Sequence, residues 1–530
     1  MELLLLLPKV TVAVALIGLV GIVIRMCDAL IFRPERLRSK LREQGIRGPP
    51  PAFLLGNIRD IKKAQSKVSK ASREGEQVIS HNSSNTPFSF FEQWSKKYGS
   101  TFMFSLGNIQ ILHMNHPDAV KEISICTSLD LGKPSYQVKE RGPLLGQGIL
   151  TSSGAIWAHQ RKILAPEFYM ENVKNFMSIM VESSNIVVDS WTKRIESEGG
   201  VVDINVDEDM RSFSGDVISK ACFGSNYAKG EEIFLKLRAL QGAMSKKALS
   251  SGIPILRALP TKSNREVWRL EKEVRALILK EVKEEKEQTS KDLLEIILKG
   301  AKDIESSQAE MDRFVVDNCK NIYLAGYETT SVTATWTMML LGSNPEWQDR
   351  VRAEVLEVCG GQMPDADMVR KMKTLTMVIH ESLRLYPPVC VISREALQDM
   401  KFGDIFVPKG VNVWTLIVNL HQDPEIWGSD ADKFNPESHS WLDLESVLNF
   451  IHRASRLPFP GLEMYSHQSL NGNGRRVTDL DVVFWQPKNI NKVPRREIPA
   501  EKSEQTDCGQ DHTKGKVLKA SACIQRWDNC

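Results

Sequence analysis

The sequence lacks a disulfide framework. Its nine cysteines stand singly along 530 residues, which excludes a disulfide-stapled secreted scaffold and suits reduced thiols in a cytosolic compartment. Strong charge of either sign is missing too, and a net charge of +3 is too small to imply nucleic acid as a partner. There are no internal repeats, so a solenoid or propeller is excluded. No small-residue cleavage pattern follows the N-terminal apolar run, which argues against the alternative that this run is a removed signal peptide. Cys508, His512 and Cys523 match no common zinc spacing, and no metal site is assigned from them. A hydrophobic content of 42% in a chain of this length does permit a large core.

What is present begins with an unbroken apolar run of fifteen residues, Val10 to Ile24, extended by Leu3 to Leu7 across Pro8 and Lys9. With Lys9 snorkelling, the run is long enough for a hydrocarbon core of about 30 Å. Arg25, Arg33, Arg36, Arg38, Lys40 and Arg42 follow at once, and the positive-inside bias keeps the rest of the chain cytosolic. Residues 1–24 therefore read as a transmembrane anchor. Residues 25–51 read as a basic, Pro-rich connector stiffened by Gly48-Pro49-Pro50-Pro51. Lys62 to Thr86 is polar and Ser-rich, a surface excursion. Glu271 to Lys299 is a charged amphipathic helix or pair, with Val274, Leu277, Ile278 and Val282 on one side. Helical patterns dominate, with short strands near Thr101–Met114 and Lys401–Val407, so the expected fold class is mainly α with a minor β-sheet.

The most anomalous stretch is Ala325-Gly326-Tyr327-Glu328-Thr329-Thr330. It sits in the middle of a long apolar run whose flanks, Phe314 to Leu324 and Ser331 to Leu341, read as one largely buried helix. Glycine there costs about 1 kcal/mol relative to alanine, and a buried unpaired carboxyl costs more. The threonines compete for backbone carbonyls and tend to bend or open a helix. Local rules that fail together mark candidate functional sites. A glycine that lets a ligand approach, beside an acid and an alcohol, suits proton delivery in a dry pocket. The alternative is a tolerated kink in a core helix. A second helix, ending Val378-Ile379-His380-Glu381-Ser382-Leu383-Arg384-Leu385-Tyr386-Pro387-Pro388, puts Glu381 and Arg384 three apart among apolar neighbours, which points to a buried structural ion pair.

Two further motifs stand at either side of these helices: Trp157-Ala158-His159-Gln160-Arg161-Lys162, and His421-Gln422-Asp423-Pro424-Glu425-Ile426-Trp427 with Phe434-Asn435-Pro436-Glu437. In order and spacing, these four features resemble a microsomal cytochrome P-450, a haem-thiolate monooxygenase, and the style of Gln44-Gly45-Ile46-Arg47-Gly48-Pro49 resembles the plant enzymes that oxidise gibberellins and related terpenoids. The resemblance covers residues 1 to about 437 and implies a cytochrome P-450 fold over 52–437. It implies haem as cofactor, electrons from NADPH through a flavoprotein reductase, an apolar substrate, and attachment to the endoplasmic reticulum membrane. It implies that Glu328 and Thr329 are the acid–alcohol pair protonating bound dioxygen, and that Ala325 and Gly326 lie where the helix passes over the haem. Trp157, Arg161 and Arg394 match propionate contacts, and Arg presents the planar donor fork that carboxylates require. Outside this context Trp157 reads as a core aromatic and Arg161 as a solvated helix face. Glu381 and Arg384 match the structural pair. Tyr136–Leu150 and Val389–Ile392 are candidate substrate contacts.

The pattern then stops. Ser438 and His439 follow Pro436-Glu437 where the family has Arg-Phe, and that arginine normally completes the Glu381–Arg384 network. The haem loop, F-x-x-G-x-R-x-C-x-G, is missing. Around Cys508 its flanking positions hold Glu501, Glu504, Thr506 and Gln510; around Cys523 they hold Lys516, Lys519, Ser521 and Gln525; Cys530 has no following residue. The thiolate is the ligand that drives O–O cleavage. Residues 438–530 therefore read as an unrelated, disordered tail, with an altered exon junction or a shifted reading frame at 438. Two expectations follow: a membrane-anchored monooxygenase, or a haem-less, inactive remnant or splice variant with at most a binding role.

Overall fold

The computed structural model describes residues 2–71, 81, 88–168, 174–199, 202–224, 227–245, 259–285, 293–303 and 307–437. The expected disordered tail, 438–530, and much of the Lys62–Thr86 excursion lie outside these residues. Helix α1 (Glu2–Cys27) continues through a π-helical turn, Asp28–Phe32, into α2 (Arg33–Arg42), so much of the expected connector is helical. Val14, Ile17, Ile22 and Ile24 on α1 are 64%, 72%, 58% and 63% exposed. The helix is long and apolar enough to cross a membrane. Gly48 then lies against the strand that holds Met103, whose carbonyl a Cβ would overlap, so the Pro-rich connector is seated on that strand.

The rest is mainly helical with a small sheet, as the sequence suggests. Helices α3 (Ile58–Ala71) and α4 (Ser89–Tyr98) precede a hairpin, β1 (Thr101–Leu106) and β2 (Ile109–Met114). After α5 (Pro117–Ile125) come β3 (Leu131–Gly132), α6 (Ser135–Glu140), α7 (Gly142–Leu145) and α8 (Gly154–Leu164). The helical body follows as α9 (Met177–Ser197), α10 (Val206–Phe223), α11 (Tyr227–Ser245), α12 (Lys262–Glu285), α13 (Leu293–Lys302) and α14 (Gln308–Ser343). The charged stretch near 271–299 is thus a pair, with Val274, Ile278 and Val282 of α12 buried. Then come α15 (Pro345–Cys359), α16 (Ala366–Lys371), α17 (Lys373–Leu385), β4 (Val391–Ala396), β5 (Met400–Phe402), β6 (Ile405–Val407), β7 (Asn412–Leu416), α18 (Ile417–His421) and α19 (Pro424–Trp427).

The main sheet runs β1-β2-β7-β4-β3, with only β2 and β7 parallel, while β5 and β6 form a separate hairpin. One apolar cluster holds α4 on this sheet. His113 of β2 is stacked between rings there, 4.5 Å from Phe102 and 5.0 Å from Phe91. The larger core surrounds α14, whose residues Phe314 to Ala325 are buried.

Helix α17 ends as expected before the double proline, and Glu381 and Arg384 form the buried pair. Arg384 Nε and Nη2 each donate to a Glu381 carboxylate oxygen at 2.7 Å. The remaining guanidinium protons go to the carbonyls of His421 (2.8 Å), Ala431 (2.6 Å) and Lys433 (2.9 Å). The amide of Asn435 donates to Glu381 at 2.8 Å, and Trp427 lies 4.9 Å beneath the guanidinium. All five donors of the arginine fork are used. Backbone groups of 421–435 thus occupy the donors and acceptors of this pair, where the sequence pattern leads one to expect a third arginine.

Burial pushes the His113 pKa down to about 3 and, with help from the nearby Arg384 charge, the His421 pKa to about 4. Both values lie below the unfolded histidine's about 6.5. The unfolded chain therefore binds more protons at intermediate pH, and this stabilisation is complete above about 6.5 and lost as pH falls toward 4 and then 3. Unfolding of the detergent-solubilised protein should become easier across that window, and His113→Phe should flatten part of the slope. An unchanged slope would show that His113 titrates normally.

Candidate active site on helix α14

Helix α14 runs unbroken through the anomalous hexapeptide. Its start is fixed by a capping box between Ser307 and Glu310. At its centre each hydroxyl turns back onto its own helix. Thr329 donates to the Ala325 carbonyl at 2.8 Å, Ser331 to Tyr327 at 2.8 Å, Thr333 to Thr329 at 2.9 Å and Thr335 to Ser331 at 2.8 Å. These bonds follow the i to i−4 geometry, and the helix stays continuous through the hexapeptide.

Glycine at 326 answers a packing constraint. A Cβ there would lie 2.5 Å from Cδ1 of Ile218 on α10, the helix packed most closely across this point. The close approach visible at Gly326 is therefore that of a neighbouring helix. Ser214, one turn before Ile218, donates to the carbonyls of Gly326 (2.8 Å) and Tyr327 (2.9 Å). Ala325 is buried in the core around α14.

Glu328 is buried and paired. Arg211 of α10 donates to its Oε2 at 2.6 Å and, through Nε, to Asp207 at 3.0 Å. Arg211 also lies 5.8 Å from the centre of the Tyr327 ring. Burial opposes the charge on Arg211, but Glu328 and Asp207 outweigh it and hold the guanidinium pKa above its ordinary value. Side-chain exposure is 4% for Arg211, 8% for Glu328 and 31% for Asp207, so the three charges form a line from the core to the surface. Thr329 and Thr333 are half-buried and Thr330 is exposed, which leaves one open stripe on an otherwise buried helix. Arg211, Ser214 and the wider threonine stripe are not among the residues that sequence reasoning selected. Asp207 and Arg211 do stand at the i, i+4 spacing, but that spacing is common on solvated helices and carries no signal alone.

Trp157 and Arg161 lie together on α8, with the guanidinium 5.5 Å from the indole centre. Arg394 sits on β4, donating to the carbonyl of Ser393 at 2.8 Å. It lines a small cleft with Lys133, Gln137, Arg141 and the apolar Leu145 and Leu150. The Tyr136–Leu150 segment, expected to contact substrate, supplies much of this wall.

The arrangement defines a class: a long helix carrying a buried acid next to an alcohol, a Trp/Arg helix, and on α17 a buried Glu–Arg pair whose guanidinium donors are all used. The chain belongs to the cytochrome P-450 family, whose model matches residues 76–460. It is 49% identical over 440 residues to cytochrome P-450 714C2 of Oryza sativa subsp. japonica, covering 82% of this chain and 83% of that protein. It is 45% identical over 450 residues to cytochrome P-450 714B3 of Zea mays, covering 83% and 85%. To cytochrome P-450 714A2 of Arabidopsis thaliana it is 40% identical over 442 residues, covering 81% and 83%.

The family implies haem, and the residues fit that group in part. Arg161 stacked on Trp157, and Arg394 in its cationic cleft, present donors suited to propionates. The iron ligand is a different matter. Among the described residues six cysteines stand singly, three of them buried, and none carries the flanking residues of the haem loop, so no step is routed through the metal.

Removing Arg211 should strand the Glu328 charge. Arg211→Met is expected to destabilise the domain by about 3–5 kcal/mol, and R211M/E328Q should recover most of that loss. Denaturant unfolding of both variants checks this; equal stability of the single and double variants would show that the pair is energetically idle.

Proposed function

We propose that residues 52–437 are the scaffold of a membrane-anchored monooxygenase that hydroxylates an apolar small molecule, a gibberellin or another terpenoid. The observation that carries this reading is the buried, Arg211-paired Glu328 next to the half-buried Thr329 on α14, within a chain of the cytochrome P-450 family. The exposed apolar α1 supports single-pass anchoring in the endoplasmic reticulum membrane, with the basic α2 keeping the bulk of the chain cytosolic. A flavoprotein reductase using NADPH is the partner that supplies electrons.

Haem, when bound, supplies the activation of dioxygen; the chain's own residues hold the group and handle protons. Trp157, Arg161 and Arg394 would hold the propionates, and Ala325 would lie where α14 passes the macrocycle, while Gly326 admits Ile218 of α10. Glu328 is the proton relay: it must leave Arg211 and take up a proton from solvent before passing one to the Thr329 side of the helix. Thr329 Oγ1, bonded to the Ala325 carbonyl, must rotate outward to receive it. Glu381 and Arg384 have a structural role only.

A second reading is favoured by one sequence fact: no cysteine carries the flanking residues of the haem loop. On that reading the chain binds the apolar ligand without oxidising it. The difference spectrum of the purified full chain, reduced and treated with carbon monoxide, separates the two. The monooxygenase reading expects the Soret shift of a thiolate-ligated haem. A flat trace overturns it for this chain and leaves the binding role.

A further inference from the structure

The polar residues that precede the hexapeptide on α14 have no part in the site described so far, yet they are buried. Asp317, Asn318 and Asn321 are 5%, 0% and 0% exposed. Each accepts a hydrogen bond from a different backbone amide of one loop. The amide of Gln147 donates to Asp317 Oδ2 at 2.9 Å, that of Ile149 to Asn318 Oδ1 at 3.1 Å, and that of Leu150 to Asn321 Oδ1 at 2.8 Å. Asn321 Nδ2 returns a bond to the Leu145 carbonyl at 2.7 Å. Lys320 neutralises Asp317 at 2.9 Å and reaches toward the Pro143 carbonyl at 3.4 Å.

The loop is shaped for this grip. Gly146 has a φ of 60°, and a Cβ there would overlap the Asp317 carboxylate. A Cβ at Gly148 would lie 2.7 Å from the Asn321 amide. From the other side Gln160 of α8 donates to the Gln147 carbonyl at 2.9 Å and accepts from Ser152 at 2.7 Å. Backbone amides that would otherwise be orphaned in a buried loop are thus paired one by one with side chains of a rigid helix. Leu145, Leu150 and Thr151, which this grip places, form the wall of the cleft that Lys133, Arg141 and Arg394 line.

We propose that Asn318 and Asn321, with Asp317, are positioning residues that lock loop 145–151 onto α14 and so set the shape of the cationic, apolar-walled cleft. The chemistry the cleft fits is a carboxylate carried on a hydrocarbon body, whether a porphyrin propionate or a free apolar acid. The locking itself does not depend on the haem reading; only the choice of porphyrin as the first probe does. Truncating Asn321 frees the Leu150 amide and the Leu145 carbonyl together, whereas Asp at 321 keeps the acceptor and loses the donor.

Amide hydrogen exchange on the full chain in lipid nanodiscs tests this, with haemin and with gibberellic acid as separate probes. Loss of one buried hydrogen bond should raise exchange at its own amide by about tenfold. N318A should act at Ile149 and N321A at Leu150, with α14 and α17 unchanged, and N321D should restore Leu150. Protection of 133–141 by either probe should be lost in N321A and kept in N321D, and the probe that protects identifies the source of the carboxylate. Wild-type exchange across 145–151 in both alanine variants overturns the proposal, as does a rise spread over the whole domain. If neither probe protects the wild type, the cleft assignment fails. Haemin failing while gibberellic acid protects counts against the haem reading alone.

Discussion

The guanidinium of Arg384 is the point on which the architecture turns. Helix α17 delivers it fully buried, and a buried cation is tolerated only where every donor is used. Glu381 takes two of its bonds, and the carbonyls of His421, Ala431 and Lys433 take the rest. A segment with little regular structure, 421–435, is thereby tied to a helix that also packs on α14. Stacking of Tyr386 on Trp336, with centroids 3.7 Å apart, carries the same anchor into the middle of α14. Electrostatic closure in one place thus fixes the spatial relation of three stretches distant in sequence.

The same logic governs α14. Its hexapeptide violates helix propensity, and each violation is answered by a neighbour from α10: Ile218 fills the space above Gly326, Ser214 takes two carbonyls, and Arg211 neutralises Glu328. An acid whose charge is balanced by a buried guanidinium differs from one stranded in hydrocarbon. The surface end of the line, Asp207, connects this balance to solvent.

The sequence showed the strong local patterns. The β1–β2 hairpin and the small β5–β6 hairpin stand in the alternation of Thr101–Met114 and Lys401–Val407, and the buried pair on α17 stands in the apolar neighbours of Glu381. Other features were not legible, for physical reasons. Strand β7 pairs in parallel with β2 about 300 positions earlier, as with Val413 against Leu112, and such pairing leaves no local mark. Arg211 could not be chosen because its partner comes from another helix. Glu328 looked costly in isolation; the partner that makes it tolerable is a tertiary contact. The continuity of α14 was legible in the apolar stretches on either side of the hexapeptide, Phe314 to Leu324 and Ser331 to Leu341. The backbone partners that 421–435 supply to the pair come from tertiary contacts and left no mark in the sequence, while position 438, where the family has an arginine, lies outside the described residues.

The central claim is that Glu381 and Arg384 form one closed unit that holds the scaffold without a third arginine. The direct measurement is a double-mutant cycle on unfolding free energy, using Glu381→Gln, Arg384→Met and the pair together. The account predicts that each single change costs about 3–5 kcal/mol and that the double variant costs far less than their sum. Single losses below about 1 kcal/mol that simply add, as for exposed surface pairs, would contradict it.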